Sequence, residues 1–118
     1  MTAEEELIRR YFDAFNRHDL EGVMACFVER PVVVGSEGSR YEGREAVRAL
    51  YVEQFAATPD GRCDLRSLLG GDARGVAESS FHGTRSLDGR AIEAVGVEMF
   101  EFRDGRIGEI RDYHRSVR

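Results

Sequence analysis

Hydrophobic positions in the first half of the chain recur at three- and four-residue intervals. Leu7, Ile8, Tyr11, Phe12 and Phe15 form one apolar stripe, which predicts a helix of roughly four turns. Thr2 followed by Glu5 is a capping box, in which the hydroxyl takes an orphan amide and the carboxylate reaches back. Residues 16–18 break the pattern, and Asp19 can cap a second, short helix striped by Leu20, Val23, Met24 and Phe27. Pro31 is expected to end that helix, and Val32, Val33 and Val34 to start an extended segment, because β-branched side chains fit a pleated surface. Residues 35–38 read as a loop. A third helix is predicted over about 45–57, with Ala46, Val47, Leu50, Tyr51 and Phe55 inward and Pro59, Asp60 and Gly61 closing it.

From Arg62 onward the period changes. Four stretches of strand character are separated by short turns at 70–72, 87–89 and 104–105, so consecutive strands should pair antiparallel as a meander. Helices followed by an antiparallel sheet predict an α+β fold with the helices on one sheet face. A strongly bent sheet of this kind encloses a cavity suited to a small ligand. The last turn decides which side chains share that cavity. A two-residue turn at Asp104-Gly105 pairs Arg103 with Arg106 and sets Asp112 opposite Val97. A three-residue loop of Arg103, Asp104 and Gly105 instead sets Asp112 opposite Gly96 and Ile110 opposite Glu98. The second is the expectation here, since it gathers Glu98, Phe100, Ile110, Asp112 and His114 on one face.

Composition narrows the function classes. The 118 residues form one domain, 1–118, too short for separate cofactor and substrate domains. A net charge of −5 argues against nucleic-acid binding, which needs a concentrated basic surface. No apolar run approaches the roughly 18 residues of a membrane span. Glu4, Glu5 and Glu6 stand where a signal peptide would be basic, so a cytoplasmic location is expected. Cys26 and Cys63 form no CxxC and read as buried thiols in a reducing environment. His18, His82 and His114 show no ligand spacing, so neither metal nor cofactor is expected.

The segments 10–16 (RYFDAFN), 19–22 (DLEG), 41–47 (YEGREAV) and 99–107 (MFEFRDGRI) carry a resemblance in their order and spacing. The chain resembles the nuclear transport factor 2-like superfamily, in its SnoaL-like and ketosteroid-isomerase-like branch. The resemblance implies a cone-shaped, cystatin-like roll of three N-terminal helices on a strongly bent, mainly antiparallel sheet around one pocket. It also implies roles. Tyr11 falls on the oxyanion-hole tyrosine of ketosteroid isomerases, Glu98 on its acid partner, and Tyr51 on a supporting tyrosine. The isomerase base position holds Val34 and Gly35 in this chain. Asp112 falls on the last-strand aspartate that activates water in limonene epoxide hydrolases, whose Arg–Asp pair is replaced here by Ser79 and Phe81, both expected with Tyr51 to contact the ligand. SnoaL-like cyclases also use an acidic base on this side of the pocket.

Two function classes follow. The first is a cofactor-free isomerase or cyclase acting next to a carbonyl of a small apolar ligand. Asp112 would be the base, Tyr11 and a neutral Glu98 would stabilise the enolate, and Phe15, Phe81, Phe100 and Ile110 would exclude water. His114 reads as a pocket-mouth group that could titrate usefully. The second class is a non-catalytic binding or dimerisation module. In either, alternation sends Val95, Val97 and Met99 to the outer sheet face beside Tyr113, a patch expected to pair with a second copy.

Overall fold

The apolar stripe of residues 7–15 becomes the core-facing side of helix α1 (Ala3–Asn16), in which Leu7, Ile8, Tyr11, Phe12 and Ala14 are buried. Thr2 and Glu5 form the expected capping box. Glu5 also accepts from the Gly70 amide at 3.1 Å, tying the start of the helix to the sheet. Its other end is held by Asn16, whose amide grips Cys63 twice, accepting from its N–H at 2.7 Å and donating to its carbonyl at 2.8 Å.

Helix α2 (Leu20–Ala25) is capped by Asp19 as expected, but it ends before Phe27. Phe27 opens strand β1 (Phe27–Val34) instead of completing a helical stripe. Pro31 therefore lies inside a strand and terminates no helix. Its ring fits because the ladder with the neighbouring strand is interrupted between Phe27 and Val32, where a missing N–H costs no hydrogen bond. A three-residue strand β2 (Arg40–Glu42), too short to show a period, follows the loop and pairs with β1. Arg44 opens α3 (Arg44–Ala57), one residue earlier than expected. Its guanidinium donates to the carbonyls of Met24, Phe27 and Val28, so one cation joins the end of α2, the start of β1 and the start of α3.

The four later strands are β3 (Arg62–Gly71), β4 (Arg74–Thr84), β5 (Ala91–Arg103) and β6 (Arg106–Ser116). They form the predicted meander, and β6 then pairs in parallel with β1. The sheet order is β2-β1-β6-β5-β4-β3. The fold is α+β, with three helices on one face of a mixed, curled and unclosed sheet. The computed structural model describes residues 1–117. Among these, no helix is long and apolar enough to cross a membrane.

Between helices and sheet the aromatic rings pack edge to face. Tyr11 meets Phe12, Phe27, Tyr51 and Phe100 with centroids 5.3–6.2 Å apart, the arrangement ring quadrupoles favour. This layer forms the floor beneath the cavity.

Candidate active site

The β5–β6 turn controls the site, and it combines features of both expected arrangements. Asp104 and Gly105 both have positive φ (53° and 75°), the signature of a two-residue type I′ turn, and Arg103 pairs with Arg106. The three-residue loop is thus not formed. The register then shifts at Glu101/Phe102, where Gly108 is the extra residue of a β-bulge on β6. One extra residue exchanges the two faces of a strand. Beyond the bulge, Phe100 pairs with Ile110, Glu98 with Asp112, and Gly96 with His114. Asp112 is therefore opposite neither Gly96 nor Val97. The same five side chains still share the inner face, through the bulge and not through a longer loop.

Glu98 is only 8% exposed. Its Oε1 accepts from Ser79 Oγ at 3.0 Å, and Ser79 Oγ lies 2.9 Å from His114 Nε2. His114 Nδ1 closes the row on Asp112 Oδ1. His114 is thus no mouth residue: its side chain is 10% exposed and sits in the middle of a continuous chain, Glu98–Ser79–His114–Asp112. Its backbone N–H donates to Ser36 Oγ at 2.9 Å, which pins β6 to the loop after β1. The other Asp112 oxygen, Oδ2, has no hydrogen-bond partner among the described residues.

The electrostatics follow from burial. Desolvation raises the Glu98 carboxyl to about 7, opposed by the His114 charge and the Ser79 hydrogen bond and reinforced by Asp112. Burial would lower the His114 imidazole, but the Asp112 hydrogen bond and the charges of Glu98 and Asp112 outweigh it and leave it raised. Tyr11 and Tyr51 touch through their hydroxyls at 2.5 Å. Burial pushes both well above the ordinary phenol range, so both stay protonated. Their mutual bond uses one of two protons, which leaves one O–H to donate elsewhere. The Cys63 thiol is pushed up to about 12, by burial first and then by the Glu98 charge, which rules out a thiolate nucleophile.

These groups open on a cavity of about 420 Å³, within the usual range for a small organic ligand. Of the expected site residues, Tyr11, Phe15, Tyr51, Phe81, Glu98, Ile110, Asp112 and His114 line it. Phe100 and Ser79 do not. Both are 1% exposed: Phe100 is packed under Tyr11 and Phe12, and Ser79 lies behind the Glu98 and His114 side chains. Val33, Tyr41, Leu50 and Phe55 add apolar wall, and His18 stacks flat on Phe55 at 4.5 Å between ring centroids. The inward spacing of Leu50 and Phe55 on α3 signals two of these; nothing in the sequence signals the stack.

Glu98, Asp112 and His114 offer ligand atoms within 4.8 Å of one another, a mixed set that histidine spacing alone does not reveal. Both ring nitrogens of His114 are already engaged by Ser79 and Asp112. A cation would have to break those bonds, so the arrangement is built as a hydrogen-bonded row.

The SnoaL-like domain family matches residues 8–110. Among curated proteins, none matches the sequence. The solved structures it is similar to include a candidate polyketide cyclase from Xanthomonas campestris pv. campestris. That protein is 25% identical, with 92% of this chain and 87% of the other covered at a TM-score of 0.80. A candidate polyketide cyclase from Pseudomonas putida KT2440 is 24% identical over 98% and 92% of the two chains, at 0.83. A nuclear transport factor 2-like protein of unknown function from Burkholderia pseudomallei K96243 is 18% identical over 98% and 92%, at 0.84. The last two show a shared fold.

Proposed function

Because the chain belongs to the SnoaL-like domain family, we propose that it moves a proton next to a carbonyl of a small organic molecule, as an isomerase or an aldol-type cyclase. The observation that carries this reading is the Asp112–His114 contact beside a desolvated Glu98 on one wall of an aromatic-lined cavity. Asp112 Oδ2 takes the proton from a carbon beside the carbonyl, and the C–H electron pair moves into an enolate. His114 Nδ1–H holds Asp112 in place. The spare proton of the Tyr11–Tyr51 pair donates to the enolate oxygen, and Glu98, when neutral, spares the enolate a second negative charge beside it. General acid–base catalysis of this kind contributes about 10²–10⁴-fold. The 25% identical candidate polyketide cyclase suggests a polyketide, a compound with several carbonyl groups, as the substrate class.

The test is proton exchange. A panel of such carbonyl compounds is incubated with the protein in deuterated water, and the α-protons are followed by NMR. Loss of their signal with wild-type protein, but not with Asp112→Asn, is the expected result. A compound that binds without exchange faster than buffer, identically for both proteins, would make the cavity a binding site only.

A further inference from the structure

Glu98 and His114 compete for the single hydroxyl proton of Ser79, whose oxygen also lies within hydrogen-bond reach of the protonated Cys63 thiol. Ser79 Oγ lies 3.0 Å from Glu98 Oε1 and 2.9 Å from His114 Nε2, and a hydroxyl donates once while accepting on its lone pairs. The same heavy-atom positions therefore hold two proton arrangements. In one, Ser79 donates to an ionised Glu98 and a doubly protonated His114 donates to Ser79. In the other, a neutral Glu98 donates to Ser79 and Ser79 donates to a neutral His114 that carries its proton on Nδ1. The two have the same total charge and the same number of protons.

We infer that Ser79 is a proton relay between His114 Nε2 and Glu98 Oε1, which supplies Glu98 with its proton at the moment the base receives one from the substrate. This deepens the proton-transfer reading of the same site and rests on it. Before reaction, Asp112 is ionised, His114 charged and Glu98 ionised. The substrate C–H bond breaks, its proton joins Asp112 Oδ2 and its electron pair becomes the enolate. His114 has now lost the negative partner that held its charge. Its Nε2 proton passes to Ser79 Oγ while the Ser79 proton passes to Glu98 Oε1. The net charge of substrate and four side chains is −1 before and after, and no outside donor is needed. The enolate then faces a neutral acid where it would otherwise face a second anion.

Independent features fit a relay. Ser79 is 1% exposed and the row has no gap, so bulk water does not short-circuit it. The groups facing Glu98 and His114 are Asp112 on β6, Tyr11 on α1, Tyr51 on α3 and Cys63 on β3. The two phenols and the thiol stay protonated, which leaves Glu98 and His114 as the pair that exchanges protons near neutrality.

Ser79 acts through its neighbours and is a positioning residue, so its test reads those neighbours directly. In isotopically labelled protein without substrate, the ring nitrogens of His114 and the carboxyl carbon of Glu98 are followed by NMR from acid to alkaline pH. Wild type is expected to show both groups titrating through the same two shared steps, with the neutral His114 ring protonated on Nδ1. Ser79→Ala removes a donor from the charged form of Glu98, so the Glu98 step rises and the His114 step falls by about one pH unit each. Ser79→Thr keeps the hydroxyl and restores the overlap. A neutral ring protonated on Nε2, independent single-step curves in wild type, or curves that Ser79→Ala leaves unchanged would each overturn the relay. All of these are read without turnover, so an inactive panel of substrates defeats the proposed function and leaves this test standing. With an active substrate, Ser79→Ala should lower kcat at least tenfold with KM little changed, and Ser79→Thr should recover it; a loss confined to KM would also overturn the relay.

Discussion

Glu98 and Asp112 are direct cross-strand partners on β5 and β6, and both open on the same cavity. Two carboxyl groups in one desolvated volume ionise together only with a cation between them, here His114, because each charge raises the cost of the other. Burial falls hardest on Glu98, and that asymmetry separates a proton acceptor from a proton donor.

Asp112→Asn keeps shape and removes the accepting oxygen. It should lower exchange or turnover by about 10²–10⁴-fold, with unchanged circular dichroism. Retained activity with a correctly folded variant would remove Asp112 from the role of base.

Stability should fall as pH rises through neutrality. The folded-state pKa of Glu98, about 7, is raised above its ordinary 4.5. The native state therefore holds an extra proton between these values, and the stability it contributes, full below 4.5, is lost by about pH 7. The raised His114 acts in the same direction, from its ordinary 6.5 upward. For Glu98 the loss is on the order of 2–3 kcal/mol. Urea unfolding at pH 5 and pH 8 should show it, and Glu98→Gln should flatten most of the slope; an equal slope in the variant would contradict the burial of an ionisable Glu98.

Gly96 is the cross-strand partner of His114, and a Cβ at that position would lie 2.1 Å from the Tyr113 carbonyl oxygen and 2.7 Å from His114 Cα. Backbone cannot give way as a flexible side chain can. Gly96→Ala should cost about 1–3 kcal/mol and displace the His114 ring, detectable as a lower Tm and a changed imidazole titration. A variant with wild-type Tm would show that the strands have room to part.

Arg44 serves three carbonyls at once. Arg44→Ala should destabilise by about 1.5–3 kcal/mol, and Arg44→Lys should recover only part of it, since an ammonium cannot reproduce the planar fork. Full recovery by lysine in thermal denaturation would mean that charge alone matters there.

On the outer sheet face, Val97 pairs with Tyr113, which is 58% exposed, and Val95 and Met99 flank them. We expect a second copy of the chain to cover this apolar strip in a two-fold pair. Sedimentation should give a dimer for wild type and a monomer for Val97→Asp, and a monomeric wild type at micromolar concentration would refute the pairing.

The sequence by itself determined the elements whose cause is local. The capping box at Thr2 and Glu5, the stripe of α1, the Asp19 cap and the alternation of β3 to β6 all rest on neighbours within a few residues. Side-chain spacing records such causes directly. The family resemblance, and not spacing, singled out Tyr11, Glu98 and Asp112. What the sequence did not contain was the Gly108 bulge, which follows from strand pairing and not from any property of Gly108 alone. Nor did it reveal the place of Pro31 inside β1, because the parallel partner that leaves its position unbonded is more than seventy residues away. Ser79 shows the limit most clearly: as a residue it is a small polar side chain on a strand. Only the register of β4 on β5, and of β5 on β6, sets it between Glu98 and His114, since hydrogen bonds act over about 3 Å and chain separation carries no record of such distances.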